Sequence, residues 1–103
     1  MSAEFIKNGR GKLRMDLLPP IAVEAIARVL TMGAAKYAPE NWRLCPQDKV
    51  KAEYGSALLR HVFAWLGEET HDRESGEHHL AHAATNAMFI VELEHDHSLP
   101  RGL

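Results

Sequence analysis

Residues 77–94 constrain the fold most, because they predict a helix that is apolar around most of its circumference. One face carries Leu80, Ala83, Ala84, Ala87, Met88 and Val91. The adjacent face carries His79, His82, Asn86, Ile90 and Leu93. Such a helix must lie at the centre of a bundle or between subunits, since only there is nearly every face covered.

Two further helices are predicted before it. The first opens at the Pro19–Pro20 pair and ends before Pro39, because proline suits a first helical turn and interrupts a later one. The second begins near Asp48, a suitable N-cap, and ends at Leu66 with Gly67 as the C′ residue. Residues 1–18 form an extended arm, and no alternating pattern of useful length predicts a strand.

These elements predict an all-α single domain over residues 1–103, built as a bundle of three main helices. Three helices of this length do not readily cover an almost wholly apolar third helix. We therefore expect dimerisation, or a higher homo-oligomer, to complete the core.

Composition excludes several classes of function. The net charge of −2 supplies no basic excess for binding nucleic acid. No apolar run reaches the roughly 18 residues of a membrane span, and the first residues lack the apolar core of a signal peptide. The single cysteine, Cys45, allows no intrachain disulfide. A cytoplasmic protein without a membrane or nucleic-acid partner is expected.

Histidines and carboxylates are concentrated where the second helix ends and the third begins. If these helices pack antiparallel, one pocket collects Glu68, Asp72, His79 and His82, with His61 further along the second helix. Such groups could bind a divalent metal ion, carboxylates suiting Mg²⁺ or Mn²⁺ and imidazoles softer ions. A solvated acidic loop and a structural hydrogen-bond network across a dimer explain the same pattern, and spacing alone does not separate these readings.

A second set of residues could contact an anionic, aromatic ligand. Lys36 and Arg60 could hold phosphates, and Trp42 with Asn41 could shape a base pocket. Each has a simpler explanation as well: Lys36 suits the negative end of a helix, Arg60 an exposed ion pair, and Trp42 a core position. The arm residues Lys12 and Arg14 fit either a solubilising tail or a flap over an anion.

An ordered set of short motifs gives a more specific indication. They are DLLPP (16–20), GAAKY (33–37), NW (41–42), LLRH (58–61), GE (67–68), ESG (74–76) and HLAHAATNAMF (79–89). In this order the chain resembles the phage and bacterial dATP/dGTP diphosphohydrolase domain, which is similar to all-α, MazG-like nucleoside triphosphate pyrophosphatases. The resemblance covers roughly residues 10–95.

The resemblance implies a helical, dimeric, Mg²⁺- or Mn²⁺-dependent enzyme. It would cut a purine (deoxy)nucleoside triphosphate between the α and β phosphates, giving a monophosphate and pyrophosphate. In a phage, acting in the host cytoplasm, it would supply dGMP for modified-base synthesis or remove dATP.

Under this hypothesis each candidate residue receives a role. Glu68, Asp72, His79 and His82 hold the metal, with Glu74 as a further candidate. His61, Glu68 and Asp72 are the catalytic candidates, His61 as a ligand or general base. Substrate contacts fall to Lys36 and Arg60 at the phosphates, Asn41 and Trp42 at the base, and Asn86 at His82 or the ribose.

The sequence departs from the MazG-like pattern at the expected metal ligands. That superfamily carries E-x-x-E on one helix and E-x-x-D on the next, whereas this chain has Arg60-His61 and His79-x-x-His82 on the matching helices. Glu69-x-x-Asp72 matches E-x-x-D in letters but falls in the predicted loop. Two other functions stay open: a module that binds nucleotides without cutting them, and a structural helical dimer.

Overall fold

Three α-helices organise the chain, and the structure, a computed structural model, describes residues 3–98 of it. They are α1 (Pro20–Lys36), α2 (Ser56–Leu66) and α3 (His79–Ser98). Within residues 3–98 the only strand-like feature is an isolated antiparallel bridge between His71 and His78. The all-α prediction is confirmed. Residues 1, 2 and 99–103 of the predicted domain lie outside the described part.

Helix α3 forms the centre of the molecule, as its apolar circumference predicts. Both α1 and α2 pack against it. The buried residues of the described chain are Ala81, Ala83, Thr85, Leu93 and His79, all on α3, together with Val50 before α2. Four of these six residues lie between His79 and Thr85, so the first half of α3 is the most enclosed part of the fold.

The approach to α2 differs from the predicted helix start. A 3-10 turn at Gln47–Lys49 leads into a π-helical turn at Lys51–Gly55, and regular α-helix begins only at Ser56. Asp48 is therefore not the N-cap. Pro46, whose φ of −66° already suits the turn, takes that position.

The end of α2 also differs, because Gly67 is the C-cap rather than the C′ residue. The C′ position belongs to Glu68, which adopts a left-handed φ of 71°. The amide of Glu68 donates to the Trp65 carbonyl at 3.0 Å, and that of Glu69 donates to Ala64 at 3.0 Å. This pair of bonds is a Schellman motif with glutamate where glycine is usual.

The loop between α2 and α3 is tied down at both ends. The His79 amide donates to the Thr70 carbonyl at 2.8 Å, and the Asp72 amide donates to the Glu77 carbonyl at 2.8 Å. From the other side, Arg28 of α1 places its Nε 2.9 and 3.1 Å from the two Glu77 carboxylate oxygens. The loop is thus held against both α1 and the start of α3.

Apolar side chains remain exposed on all three helices and in the arm. On α3 they include Met88 and Val91, the latter 70% exposed, so this helix is covered less completely than its sequence predicts. Leu59, Phe63 and Leu66 form a row on α2, and Phe63 is 65% exposed. An open groove of about 700 Å³ runs beside this row, past Leu58 and Arg60. Residues 3–14 are exposed without regular helix, whereas a 3-10 turn at Met15–Leu17 lies inside the predicted extended arm of residues 1–18. No described helix is both long enough and apolar enough to cross a membrane.

Candidate functional site

Three histidine rings meet between α2 and α3. His61 of α2 stacks on His82 of α3, with ring centroids 4.5 Å apart and planes 8° from parallel. Nδ1 of His61 also lies 2.8 Å from Nδ1 of His79, which is buried at the start of α3. The predicted antiparallel packing therefore brings His61 directly into the cluster, although it lies more than one turn before the end of α2.

The loop delivers a carboxylate to the same place. Asp72 begins an Asx turn, because its Oδ1 accepts the Glu74 amide at 3.0 Å and its carbonyl accepts the Gly76 amide at 2.8 Å. Gly76 has a φ of 77°, which only glycine adopts readily. The second carboxylate oxygen of Asp72, Oδ2, lies 3.6 Å from Nε2 of His82.

Ser75 contacts the same imidazole atom more closely. Its hydroxyl lies 2.6 Å from Nε2 of His82 and also accepts the Glu77 amide at 3.1 Å. No pattern in the sequence predicts a role for Ser75, although it belongs to the ESG motif. Nothing about its spacing indicates that the loop folds back onto α3.

Both stacked histidines favour the neutral form. The pKa of His61 is lowered first by burial and then by the neighbouring His82 and His79. Burial also lowers the pKa of His82, and the Asp72 carboxylate offsets part of this effect. Neutral imidazoles keep a lone pair available, which is the form that binds a metal ion or accepts a proton.

The donor set fits a divalent transition metal. One ligand atom each from His61, Asp72 and His82 lies within 4.8 Å of the others, and no further such group occurs in residues 3–98. Three ligands bound at about 2.2 Å to one ion are about 3.1 to 3.8 Å apart, so the triangle must contract before the three atoms can share an ion. Because imidazole lone pairs lie in the ring plane, one of the stacked rings must also turn to face a shared ion.

Two residues predicted as ligands take other positions. His79 has both ring nitrogens engaged, Nδ1 with His61 and Nε2 with a Glu69 carboxylate oxygen at 2.9 Å. Glu68 is exposed, and neither it nor His79 belongs to the ligand group. The left-handed turn at Glu68 decides which of the two adjacent glutamates meets the histidines.

The two cations predicted to bind phosphate, Lys36 and Arg60, lie on different surfaces. Lys36, at the end of α1, pairs with Glu74 of the loop at 3.7 Å, so it lies near the segment that carries Asp72. Arg60 donates to Ser56 Oγ at 3.0 Å and lines the open groove of α2. Lys36 thus stands beside the loop, whereas Arg60 belongs to a different surface from its neighbour His61.

The remaining predicted substrate residues have structural partners. Trp42 stacks on Phe89 of α3 with ring centroids 4.5 Å apart, and the Arg43 guanidinium lies 4.4 Å from the Trp42 ring. Asn41 starts the exposed 3-10 turn that carries Trp42. Asn86 donates to the His82 carbonyl at 2.8 Å, so it braces the helix backbone rather than the imidazole.

Comparison with known proteins gives two matches. The family model described as "dATP/dGTP diphosphohydrolase, N-terminal" matches residues 2–100. A curated dATP/dGTP diphosphohydrolase of Salmonella phage PMBT28 is 39% identical over 88 residues, which is 85% of this chain. The chain spans 29% of that relative's length. No solved structure matches the chain.

Proposed function

Because this chain belongs to the dATP/dGTP diphosphohydrolase N-terminal family, we propose that it hydrolyses dATP or dGTP with the help of a divalent metal ion. The products are the nucleoside monophosphate and pyrophosphate, from cleavage between the α and β phosphates. The observation that carries the proposal is the group of His61, Asp72 and His82, the one described set of residues able to chelate a metal.

The ligand chemistry favours Mn²⁺ over Mg²⁺. Mg²⁺ binds oxygen ligands in an almost ideal octahedron, whereas two imidazoles with one carboxylate suit first-row transition metals. The two lowered pKa values act in the same direction, because they keep both imidazoles neutral at physiological pH.

Each group around the site has a chemical task. A bound ion would neutralise phosphate charge and lower the pKa of the attacking water. Asp72 and the two imidazoles would hold it, and the hydroxyl of Ser75, 2.6 Å from Nε2 of His82, would orient that ring. Lys36 now pairs with Glu74 of the loop. If it released Glu74, its ammonium group would be free to bind the β and γ phosphates of the substrate.

Product analysis over eight ribo- and deoxyribonucleoside triphosphates tests this function. With Mn²⁺ or Mg²⁺, we expect monophosphate and pyrophosphate from dATP or dGTP, with higher rates in Mn²⁺. His82→Ala and Asp72→Ala should lower the rate by at least about 100-fold. His71→Ala, which removes an exposed histidine outside the ligand group, should not. Wild-type rates in both site variants would contradict the proposed centre.

A second candidate is a nucleotide-binding domain that does not hydrolyse its ligand. It is favoured by one observation: the chain corresponds to 29% of its phage relative, and the family is described as an N-terminal domain. The same nucleotides would then raise the melting temperature of the folded chain without releasing pyrophosphate.

We also infer that two copies pair through the exposed face of α2. Leu59, Phe63 and Leu66 recur at helical spacing, and each is more than half exposed. A row of this kind beside an apolar groove is typical of an interface rather than of a monomer surface. Pairing there would bury apolar surface of α2, whereas the dimer expected from the sequence covers α3.

A further inference from the structure

A chain of hydrogen bonds leads from the surface of the loop into the histidine cluster. It starts at Glu69, whose Oε2 lies 3.5 Å from the exposed Arg73 guanidinium. The other oxygen, Oε1, lies 2.9 Å from Nε2 of His79. Nδ1 of His79 then lies 2.8 Å from Nδ1 of His61, the metal-ligand candidate.

The donor and the acceptor of each of these hydrogen bonds can be assigned in turn, starting from Glu69. A carboxylate only accepts, so Nε2 of His79 must carry a proton and donate it to Glu69. With one proton on its ring, His79 has a lone pair on Nδ1 and can only accept there, so the proton between the two rings belongs to Nδ1 of His61 and its lone pair lies on Nε2. A second proton on His79 would reverse this assignment, because Nδ1 of His79 would then donate to His61.

We propose that Glu69 and His79 are positioning residues, which hold His61 in the tautomer protonated at Nδ1 and so keep Nε2 as its ligand atom. What His61 then binds rests on the proposed function, whereas the tautomer itself does not. The proposal assigns a task to Glu69, which the sequence offers only through a match to E-x-x-D in the predicted loop. It also removes His79 from the metal ligands.

The burial of His79 supports this assignment. Its side chain is 7% exposed, and a buried imidazole needs a partner for each ring nitrogen. Metal-binding histidines in general give their second N–H to an acceptor, which fixes both tautomer and ring orientation. Here the acceptor is another imidazole, and the carboxylate lies one step further out.

Nuclear magnetic resonance of the metal-free protein tests the tautomer directly. Protonated and bare ring nitrogens differ in ¹⁵N shift, and loss of one signal set in His61→Gln assigns His61. At pH 7.5 we expect Nδ1 of His61 protonated and Nε2 bare. A wild-type His61 protonated at Nε2 would overturn the proposal without any variant.

Variants at Glu69 test whether the carboxylate sets this state. Glu69→Ala should release His61 into a mixture of tautomers. Glu69→Leu, which has a similar size but neither accepts nor donates, should do the same if Glu69→Ala does not fold. Glu94→Ala, an exposed glutamate on α3, is the matched control and should change nothing. An unchanged His61 signal in folded Glu69 variants would overturn the proposal.

Calorimetric titration with Mn²⁺ connects the tautomer to the proposed site. Removing a residue that holds a metal ligand by hydrogen bonds typically weakens metal binding by about 10- to 100-fold. We expect this loss of Mn²⁺ affinity for Glu69→Ala but not for Glu94→Ala. If Glu69→Ala shows a mixture of His61 tautomers but binds Mn²⁺ as tightly as the wild type, Glu69 and His79 do not position a metal ligand. If wild-type protein binds no Mn²⁺ while His61 shows the expected tautomer, the proposed function fails and the inference about Glu69 and His79 stands.

Discussion

At the scale of residues, the structure shows which of the candidate ligands lie close together. Asp72 and His82 stay together as predicted, and His61 joins them through its stack on His82. Ser75 and Glu69 enter as hydrogen-bond partners of the histidines. Each depends on the path of the loop between α2 and α3, and spacing along the sequence does not describe that path.

The lowered pKa values of His61 and His82 make stability depend on pH. The unfolded chain takes up protons at these histidines near pH 6.5, before the folded chain does. The free energy of unfolding should therefore fall as the pH drops from 7.5 to 5.5, by up to about 1.4 kcal/mol per pH unit for each proton taken up. Urea unfolding of metal-free protein measures this. The double variant His61→Gln, His82→Gln should show a shallower dependence, and an equal slope would contradict the assignment.

At the scale of elements, the backbone is left-handed at both ends of the loop between α2 and α3. Glu68 and Gly76 both adopt a positive φ, and the segment between them carries Asp72 and Ser75. The first turn closes α2 and the second points the chain into α3. The backbone conformation at these two positions therefore places the side chains of the site.

Glu68→Gly should stabilise the fold and leave the site intact. Left-handed backbone costs a non-glycine residue roughly 1–2 kcal/mol, and the greater freedom of glycine in the unfolded chain returns part of this. We expect the free energy of unfolding to rise by about 1 kcal/mol in urea unfolding. Mn²⁺ affinity of the same variant decides the role of the side chain: an unchanged value fits the structure, and a large loss would restore Glu68 as a ligand.

Gly76→Ala should have the opposite effect on stability. A Cβ at a φ of 77° is strained even though nothing lies within 4 Å of it, so we expect a loss of about 1 kcal/mol and weaker Mn²⁺ binding as Asp72 shifts. Gly33→Ala in α1 is the matched control. Its Cβ also meets nothing within 4 Å, and alanine is the better helix former by about 0.8–1 kcal/mol. Thermal and urea unfolding should move the two variants in opposite directions.

At the scale of the whole molecule, the balance between buried and exposed apolar residues indicates association. The described chain buries four hydrophobic residues, whereas the row on α2 stays open to solvent. A core this small is marginal for a domain of about 100 residues. A partner surface would add burial where the fold lacks it.

Phe63→Asp should therefore produce monomers. A charge at the centre of an apolar interface is costly to desolvate, so light scattering at micromolar concentration should show dimers for the wild type and monomers for this variant. Leu44→Asp, at an exposed apolar residue away from the row, should leave the dimer intact. A wild-type chain that is monomeric at this concentration would remove the proposed interface.

The sequence by itself determined the helical class, the central position of α3, and the neighbourhood of the site. Periodicity and composition describe short segments of the chain. They place Asp72 in a loop and His82 in the helix that follows it, and this order does not depend on how the helices pack. Only the tertiary structure decided that His61 is a neighbour of both, that Glu69 rather than Glu68 reaches a histidine, and that Trp42 rests on Phe89. These contacts depend on the left-handed turn at Glu68 and the angle between α2 and α3, which are properties of the folded chain and not of any spacing within it.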